Sequence, residues 1–353
     1  MSHYELRLQA DLDKIRGLME TLGNDVQSAV HSAVEAVVDA DQDLAASIIL
    51  GDHPINRATR DLDRRCHAFV ARHLPSAGHL RFISSVMRIL VAVERTGDYA
   101  VTVCRETLQI NNRPTPEIIK DIREVGAKVE QAFAKAMLSF VKGDVDLARE
   151  SVEKTGETRS ESTNVFEDLA QAAEQGSLTT REAMALLVVL NRLERVGDQA
   201  KNICEETVFA TTGETKHPKV YRVLFVDHTG ARLAKMAECI ARKGFPESGE
   251  FSSAGIEPAA EFDPQVASFL DERGHSLQGD APTGLASSLK DLADFHVVID
   301  LKGGLRTKLE GIPFHTVLVR WELTPGDELE PLYGQLSGYI RELMETLRGE
   351  DAS

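Results

Sequence analysis

Two stretches of this sequence set carboxylates four residues apart: "ERTGD", with Glu94 and Asp98, and "ERVGD", with Glu194 and Asp198. On a helix that spacing puts both side chains on one face, one turn from each other. Like charges so placed repel by about 0.2–0.5 kcal/mol, so the spacing normally has a reason. Arg95 and Arg195 soften the repulsion but sit elsewhere on the helical wheel. A single Glu-x-x-x-Asp reads as a solvated acidic face. Its recurrence, each time beside an apolar stripe (Leu90, Val93, Gly97 and Val101 in the first), favours a partly buried acidic cluster. Oxygen donors of this kind suit Mg, Mn, Fe or Ca rather than a thiolate-preferring metal.

A third stretch, "VLFVDHTGARLAKMAE" at 223–238, reads as an apolar strand, a loop of small residues and the start of an amphipathic helix. In such a unit the loop N–H groups and the helix N-terminus converge where an anion could sit. Asp227 stands at the end of the strand.

The elements that position these residues follow two grammars. Up to about residue 210 the chain has helical periodicity, few glycines and three loop signals, "DADQD", "HLPSAGH" and "EQGSLTT". From residue 222 short β-branched runs, "RVLFV", "FHVVID" and "HTVLVRW", alternate with helical segments such as "DPQVASFLDERG" and "QLSGYIRELMETLRG". Strands alternating with helices predict a doubly wound parallel sheet. The polar "ATTGETKHPK", 210–219, is the expected linker.

The helical half repeats itself. "ERTGDYAVTVCRE" and "ERVGDQAKNICEE" share Glu, Arg, Gly, Asp, Ala, Cys and Glu at an offset of 100, and "DLA" recurs at 43–45 and 146–148, an offset of 103. Each unit reads as three long helices, so the expected architecture is multidomain. Two all-α three-helix bundles, 1–112 and 113–209, precede an α/β doubly wound domain at 220–350.

Pairing positions equidistant from the first turn, near 75–76, sets Asp52 beside Asp98 and Asn56 beside Glu94. Four oxygen-bearing side chains then converge from two helices. In the second unit the same mirror about residue 176 sets Thr155 beside Asp198 and Arg159 beside Glu194, with Glu157 in the same turn. A guanidinium facing a carboxylate substitutes for a cation. The first cluster is therefore expected to be the better metal site.

Composition narrows the partners. The chain has 353 residues, 42% of them hydrophobic, which is ample for more than one core. A formal net charge of −16 argues against nucleic acid, whose phosphate backbone needs clustered Lys and Arg. Cys66, Cys104, Cys204 and Cys239 lie far apart with no Cys-x-x-Cys, so they read as reduced thiols, and Cys104 and Cys204 as buried small hydrophobes. His67, His73 and His79 read as surface or cap residues. The longest apolar stretch, "AMALLVVL", is far shorter than the roughly 20 residues a membrane span requires, and the N-terminus lacks a signal-peptide core. The expectation is a cytoplasmic protein that does not span the membrane.

"GDHPINRATRDLDRRC", "LRFISSVMRILVAVERTGDYA" and "LNRLERVGDQAKNICEETVFATTGE" resemble the PhoU phosphate-signalling regulators over residues 5–215. The resemblance implies two three-helix repeats with acidic metal-binding motifs and a divalent or trivalent ion such as Fe, Mn, Mg or Zn. The family's motif carries over to Glu94 and Asp98, and to Glu194, Asp198 and Asn202; the first-unit counterpart of Asn202 is Thr102, a weaker ligand. It further implies a homodimer beside a phosphate ABC transporter ATPase and its sensor histidine kinase, restraining both when phosphate is plentiful.

From 222 onward "RVLFVDHTGARLAKMAECIARKG", "FSSAGIEPAAEFDPQVASFLDERGHSL" and "HVVID" resemble the low-molecular-weight phosphatase and arsenate reductase fold. A gapless match puts Asp227 on the nucleophilic cysteine, Gly230 in the loop and Leu233 on the phosphate-gripping arginine, with Arg232 one residue early and Ala234 on the loop serine. The general-acid Asp-Pro gives way to Thr324-Pro325. A carboxylate lacks the nucleophilicity of a thiolate, and it repels a phosphate at about 4 Å by about 4 kcal/mol at an effective dielectric of 20. A haloacid dehalogenase-like aspartate is disfavoured because Thr229 stands where a second aspartate is needed. The loop therefore reads as degenerate and the chain as a non-enzymatic regulator, with Asp227 serving as an internal anion that holds the loop. The rival readings are a phosphatase or arsenate reductase targeted by the helical half, and a second domain that binds a small anion without chemistry.

Overall fold

The computed structural model describes residues 3–111, 113–155, 168–169, 171–215, 219–277, 279, 281–285, 292–309, 311–313, 316–349 and 352. The chain forms two compact units, Met1–Lys216 and His217–Ser353.

The first unit is helical: α1 His3–Asp39, α2 Gln42–His73, α3 Ala77–Thr107, α4 Pro116–Lys142, α5 Val145–Thr155 and α6 Thr180–Thr212, with further helix at 168–169 and 171–174. The ends follow local chemistry. Asp41 caps α2 by accepting the Leu44 N–H at 2.9 Å. Thr179 and Glu182 form a reciprocal capping box on α6. Gly143 and Gly213, at φ 67° and 82°, end α4 and α6 in the left-handed conformation that glycine adopts without strain. Because α6 runs to Thr212, residues 210–212 of the expected linker are helical. The correction arises because polar threonines can extend a helix until Gly213 stops it. The expected pairing of Arg159 with Glu194, and Glu157 with it, lies outside the described residues.

The two repeats pack as near copies of one another. The Cβ position of Gly23 on α1 lies 2.7 Å from Met137 Cε on α4, and that of Gly126 on α4 lies 2.9 Å from both Val34 methyls on α1. Gly23 maps to Gly126, and Val34 to Met137, at the same offset of 103. Each helix thus presents a glycine to the other's equivalent side chain, the reciprocity of an isologous interface built within one chain. α3 and α6 also pack on each other, with Arg192 over Tyr99 and Arg88 over Phe209, although these pairs are not at equivalent repeat positions.

The two glycines should respond differently to a methyl group. Gly126→Ala meets a β-branched side chain with little rotamer freedom and is expected to cost about 1–3 kcal/mol. Gly23→Ala meets a flexible thioether and gains helix propensity, so it is expected to be neutral or stabilising by up to about 1 kcal/mol. Chemical denaturation of the two variants checks this. Equal stabilities would mean that the helices do not approach as described.

The second unit is an α/β layer. β1 Tyr221–Asp227, β2 Gly249–Gly255, β3 Val297–Asp300 and β4 Val317–Arg320 form a four-stranded sheet in the order β2-β1-β3-β4, every pairing parallel. Alternation along β1 sends Val223 and Phe225 to one face and Leu224 and Val226 to the other. The first face is covered by α7 Leu233–Gly244, α8 Pro264–Glu272 and α9 Leu329–Arg348; the second by Leu292 and by Leu305 of a short 3-10 turn, Leu305–Thr307. The strand order reverses between β1 and β3. In such sheets the crevice beyond the carboxyl ends at that reversal is where ligands bind, and Asp227 and Asp300 end these two strands.

Candidate functional site

In the first repeat, α2 supplies Asp52 and Asn56, and α3 supplies Glu94 and Asp98. Gly97 of α3 faces α2 here: a Cβ at that position would lie 3.5 Å from Asp52 Oδ1 and 3.8 Å from Ile55, ordinary van der Waals contact that does not require a glycine. Asn56 Nδ2 donates to Asp52 Oδ2, while its other amide atom, Oδ1, is buried with no hydrogen-bond partner. Partial burial, and then the charge of Asp52, push the Asp98 carboxyl above the usual carboxylate range. Asp52 thus lies near both Asn56 and Asp98, while among the described residues no hydrogen bond joins Asn56 to Glu94, the pairing the mirror about the turn also requires. Glu94 and Asp98 are both exposed, one turn apart, so the expected partly buried cluster is half-buried only on the α2 side, at Asp52 and Asn56. Among the described residues, no group of three or more His, Cys, Asp and Glu side chains is placed to hold a metal ion.

The second repeat differs. Arg195 does not point away: its Nη1 lies 3.0 Å from Asp198 Oδ2, because the i,i+3 spacing brings the two to one face. Glu194 is half-buried and Asn202 exposed. Cys104 and Cys204 are fully buried, and burial pushes their thiols up to about 12 and about 11, so both remain protonated packing residues. His67 is exposed and His79 half-buried. His73, in contrast, is buried at the end of α2, where its ring packs on Phe69 and its Nε2 lies 2.8 Å from Asp11 Oδ2. The correction follows from tertiary packing, since α1 crosses that end and brings Asp11 to it.

In the second unit the loop after β1 is filled by its own side chain. Asp227 is 3% exposed. Its Oδ1 accepts the N–H groups of Thr229, at 3.0 Å, and Gly230, and its Oδ2 accepts the N–H of Ala234 in the first turn of α7, at 3.0 Å. These are the groups that would otherwise cradle an external anion. Gly230, at φ 68°, lies flat on β2: a Cβ would come within 2.7 Å of Gly255 N. Leu233 is buried. Arg232 is drawn aside, donating to the Asp327 carbonyl at 2.7 Å with Asp263 Oδ2 at 3.8 Å.

Sequence reasoning missed two features. Asp300 repeats the arrangement on the adjacent strand, its Oδ1 accepting from Lys302 N at 3.2 Å and Gly303 N at 2.7 Å and its Oδ2 from Leu305 N at 3.0 Å. A strand-terminal aspartate three residues before a glycine, in "DHTG" and "DLKG", was the available signal. The second is a buried ion network on α7. Lys235 Nζ lies 3.2 and 3.0 Å from the two oxygens of Glu238, Arg242 Nη2 lies 2.7 Å from Oε1, and Ser253 Oγ donates to Oε2. Both Lys235 and Glu238 are under 5% exposed, a burial that periodicity does not announce for charged residues.

With this geometry in hand, comparison with known proteins is informative for the helical unit. Residues 19–107 and 122–207 match the PhoU domain model. A Pseudomonas aeruginosa protein described as a phosphate-specific transport system accessory protein PhoU homolog is 28% identical over 212 residues, 60% of this chain and 88% of the relative. The crystal structure of PhoU from Pseudomonas aeruginosa, also 28% identical, aligns with 58% of this chain and 99% of its own at a TM-score of 0.55. The crystal structure of an arsenate reductase from Archaeoglobus fulgidus aligns with 36% of this chain and 99% of its own at 26% identity and a TM-score of 0.28. Duplicated helical repeats, their reciprocal packing and the matched segments all converge on one assignment: the helical unit of this chain is a pair of PhoU domains and belongs to the PhoU family.

Proposed function

We infer that this chain is an accessory regulator of phosphate transport, restraining uptake and the phosphate-starvation response through a phosphate ABC transporter ATPase and its sensor histidine kinase, as a cytoplasmic homodimer. The observation that carries this reading is the pair of PhoU repeats, supported by relatives described as phosphate-specific transport accessory proteins. Among the described residues no helix is long and apolar enough to cross a membrane, so contact with the transporter would be by docking. Cells lacking this protein are expected to accumulate phosphate and to express starvation genes in rich medium. Normal phosphate uptake in such cells would overturn the reading.

The first acidic cluster is the proposed metal site, for Fe, Mn, Mg or Zn. Asp52, Asn56 and Asp98 supply oxygens, with Glu94 reaching in from the next turn. A cation there would satisfy the unpaired Asn56 Oδ1 and relieve the repulsion between Asp52 and Asp98, and so tie α2 to α3. The second cluster, Glu194, Asp198 and Asn202, is the poorer site because Arg195 already neutralises Asp198.

A carboxyl whose pKa is raised by folding contributes stability below its unfolded pKa and loses it as pH rises through the folded value. In chelated protein, Asp98→Asn is therefore expected to raise the melting temperature at pH 7 and to flatten its fall between acidic and neutral pH. In metal-loaded protein the same change lowers it. Bound metal should be lost in Glu94→Gln with Asp98→Asn and kept in Glu194→Gln with Asp198→Asn; the reverse result would exchange the two sites, and loss in neither pair would make both clusters structural.

For the second unit the reading is a phosphatase-like scaffold without phosphatase chemistry. Asp227 is held by three N–H groups where a nucleophile would have to be free, and Arg232 is engaged elsewhere. No turnover of an aryl phosphate is expected; turnover abolished by Asp227→Asn would favour the enzyme.

A further inference from the structure

We propose that the outward face of α2 is a docking surface for an acidic amphipathic helix of a partner protein. The buried face of α2 is drawn by Ile55, Thr59, Leu62, Cys66 and Phe69, at steps of 4, 3, 4 and 3. Two residues earlier in each case, about 200° round the helix, stand His53, Arg57, Arg60, Arg64 and His67, all exposed. At about 100° per residue these five fall within about 40° of one line, some 21 Å long. Asp61 and Asp63 lie about 80° to either side of that line and do not interrupt it.

The stripe is cationic in a chain of net charge −16. Among the described residues neither Arg57 nor Arg60 has a carboxylate at ion-pair distance; Arg60 uses only its Nε, donating to the Asn56 carbonyl at 3.1 Å. Arg64 lies 3.4 Å from Asp61, which Arg65 also holds at 2.7 Å. Leu50, 67% exposed, extends the stripe toward the N-terminus with an apolar anchor. Within its own unit α2 packs chiefly against α1 and α3.

Three features select the occupant. Steps of 4 and 3 are the heptad seam that a second helix follows over several turns. Guanidinium forks pair with carboxylates in bidentate geometry. The flanking Asp61 and Asp63, with the net charge of the whole chain, repel a long polyanion more with each added phosphate, whereas an acidic helix meets only the stripe. The inference goes beyond the regulatory role and does not depend on the metal site.

The test uses the full chain and a fluorescent synthetic 21-residue helix carrying glutamates at the same 4-3-4-3 steps and a leucine to meet Leu50. A peptide of identical composition in shuffled order, polyphosphate and duplex DNA are the comparisons. At low salt the patterned helix is expected to bind about tenfold tighter than the shuffled one, and the difference is expected to shrink at 0.5 M salt. Arg57→Gln with Arg60→Gln and Arg64→Gln should lose that advantage, while removal of three exposed charges elsewhere, at Arg7, Lys14 and Lys142, should preserve it. Circular dichroism checks that the triple variant is folded, and the single variant Arg57→Gln, which breaks no described contact, should lose about twofold to fivefold by itself. Equal binding of patterned and shuffled peptides, or full retention in the triple variant, would overturn the proposal. Tighter binding of polyphosphate or DNA than of the patterned helix would do so too, and would assign the stripe to a polyanion.

Discussion

Glu238→Ala is expected to destabilise the second unit by about 3–5 kcal/mol, the cost of leaving a buried charge without its partner. Lys235 and Glu238 are 3% and 4% exposed, and Glu238 is the carboxylate on which Lys235, Arg242 and Ser253 converge. Lys235 cannot reach water as a surface lysine would, and its Nζ lies 4.9 Å from the Phe262 ring. Arg242 is one-third exposed and can turn outward, so most of the loss is assigned to Lys235. Trp321, the only tryptophan of the chain, packs in the same core as α7 and reports this unit's unfolding by fluorescence. Lys235→Met combined with Glu238→Met removes both charges and is expected to fall within about 1 kcal/mol of wild type. A single Glu238→Ala variant as stable as that pair would show that the network carries no such charge.

Asp227→Ala is expected to cost about 2–4 kcal/mol, because it strips an acceptor from three N–H groups in a loop held between β1, β2 and α7. Water can replace only part of what a fixed carboxylate supplies. Asp227→Asn should lose less, since one oxygen can still accept while the amide NH2 meets a donor. Opening the loop also exposes an anion cradle that the wild-type side chain fills, so millimolar sulfate or phosphate should raise the Trp321 transition of Asp227→Ala and leave that of the wild type unmoved. A loss under about 0.5 kcal/mol, less than a capping carboxylate typically contributes, would mean the loop does not depend on Asp227. Instability without anion rescue would confine its role to the fold.

The local grammar of the chain was legible because it rests on interactions between near neighbours. Heptad-like apolar steps such as Ile55, Thr59, Leu62 and Cys66 define a helix buried on one side, and β-branched runs ending in Asp227 and Asp300 define strands. The helix ends at Gly143 and Gly213 were less legible: the first was not among the loop signals, and the second lies three residues beyond the expected start of the linker. An antiparallel hairpin is a mirror about its turn, so even the neighbourhood of Asp52 and Asp98 could be read from counting residues. Repetition at offsets of 100 and 103 made the two-repeat organisation visible, and with it the family.

Tertiary structure decided what depends on residues far apart in the chain. His73 is buried because α1 delivers Asp11 and Tyr4 to the end of α2, which no pattern within α2 records. Arg232 reaches Asp263 and Asp327 instead of the loop beside it, because two later segments fold over it. Lys235 and Glu238 fall on the inner face of α7, and β2 closes over them with Ser253. The difference has one physical origin. Helix and strand are specified by steric and hydrogen-bonding preferences within a few residues, whereas the partner of a charge is chosen by whichever distant segment packing brings within about 4 Å.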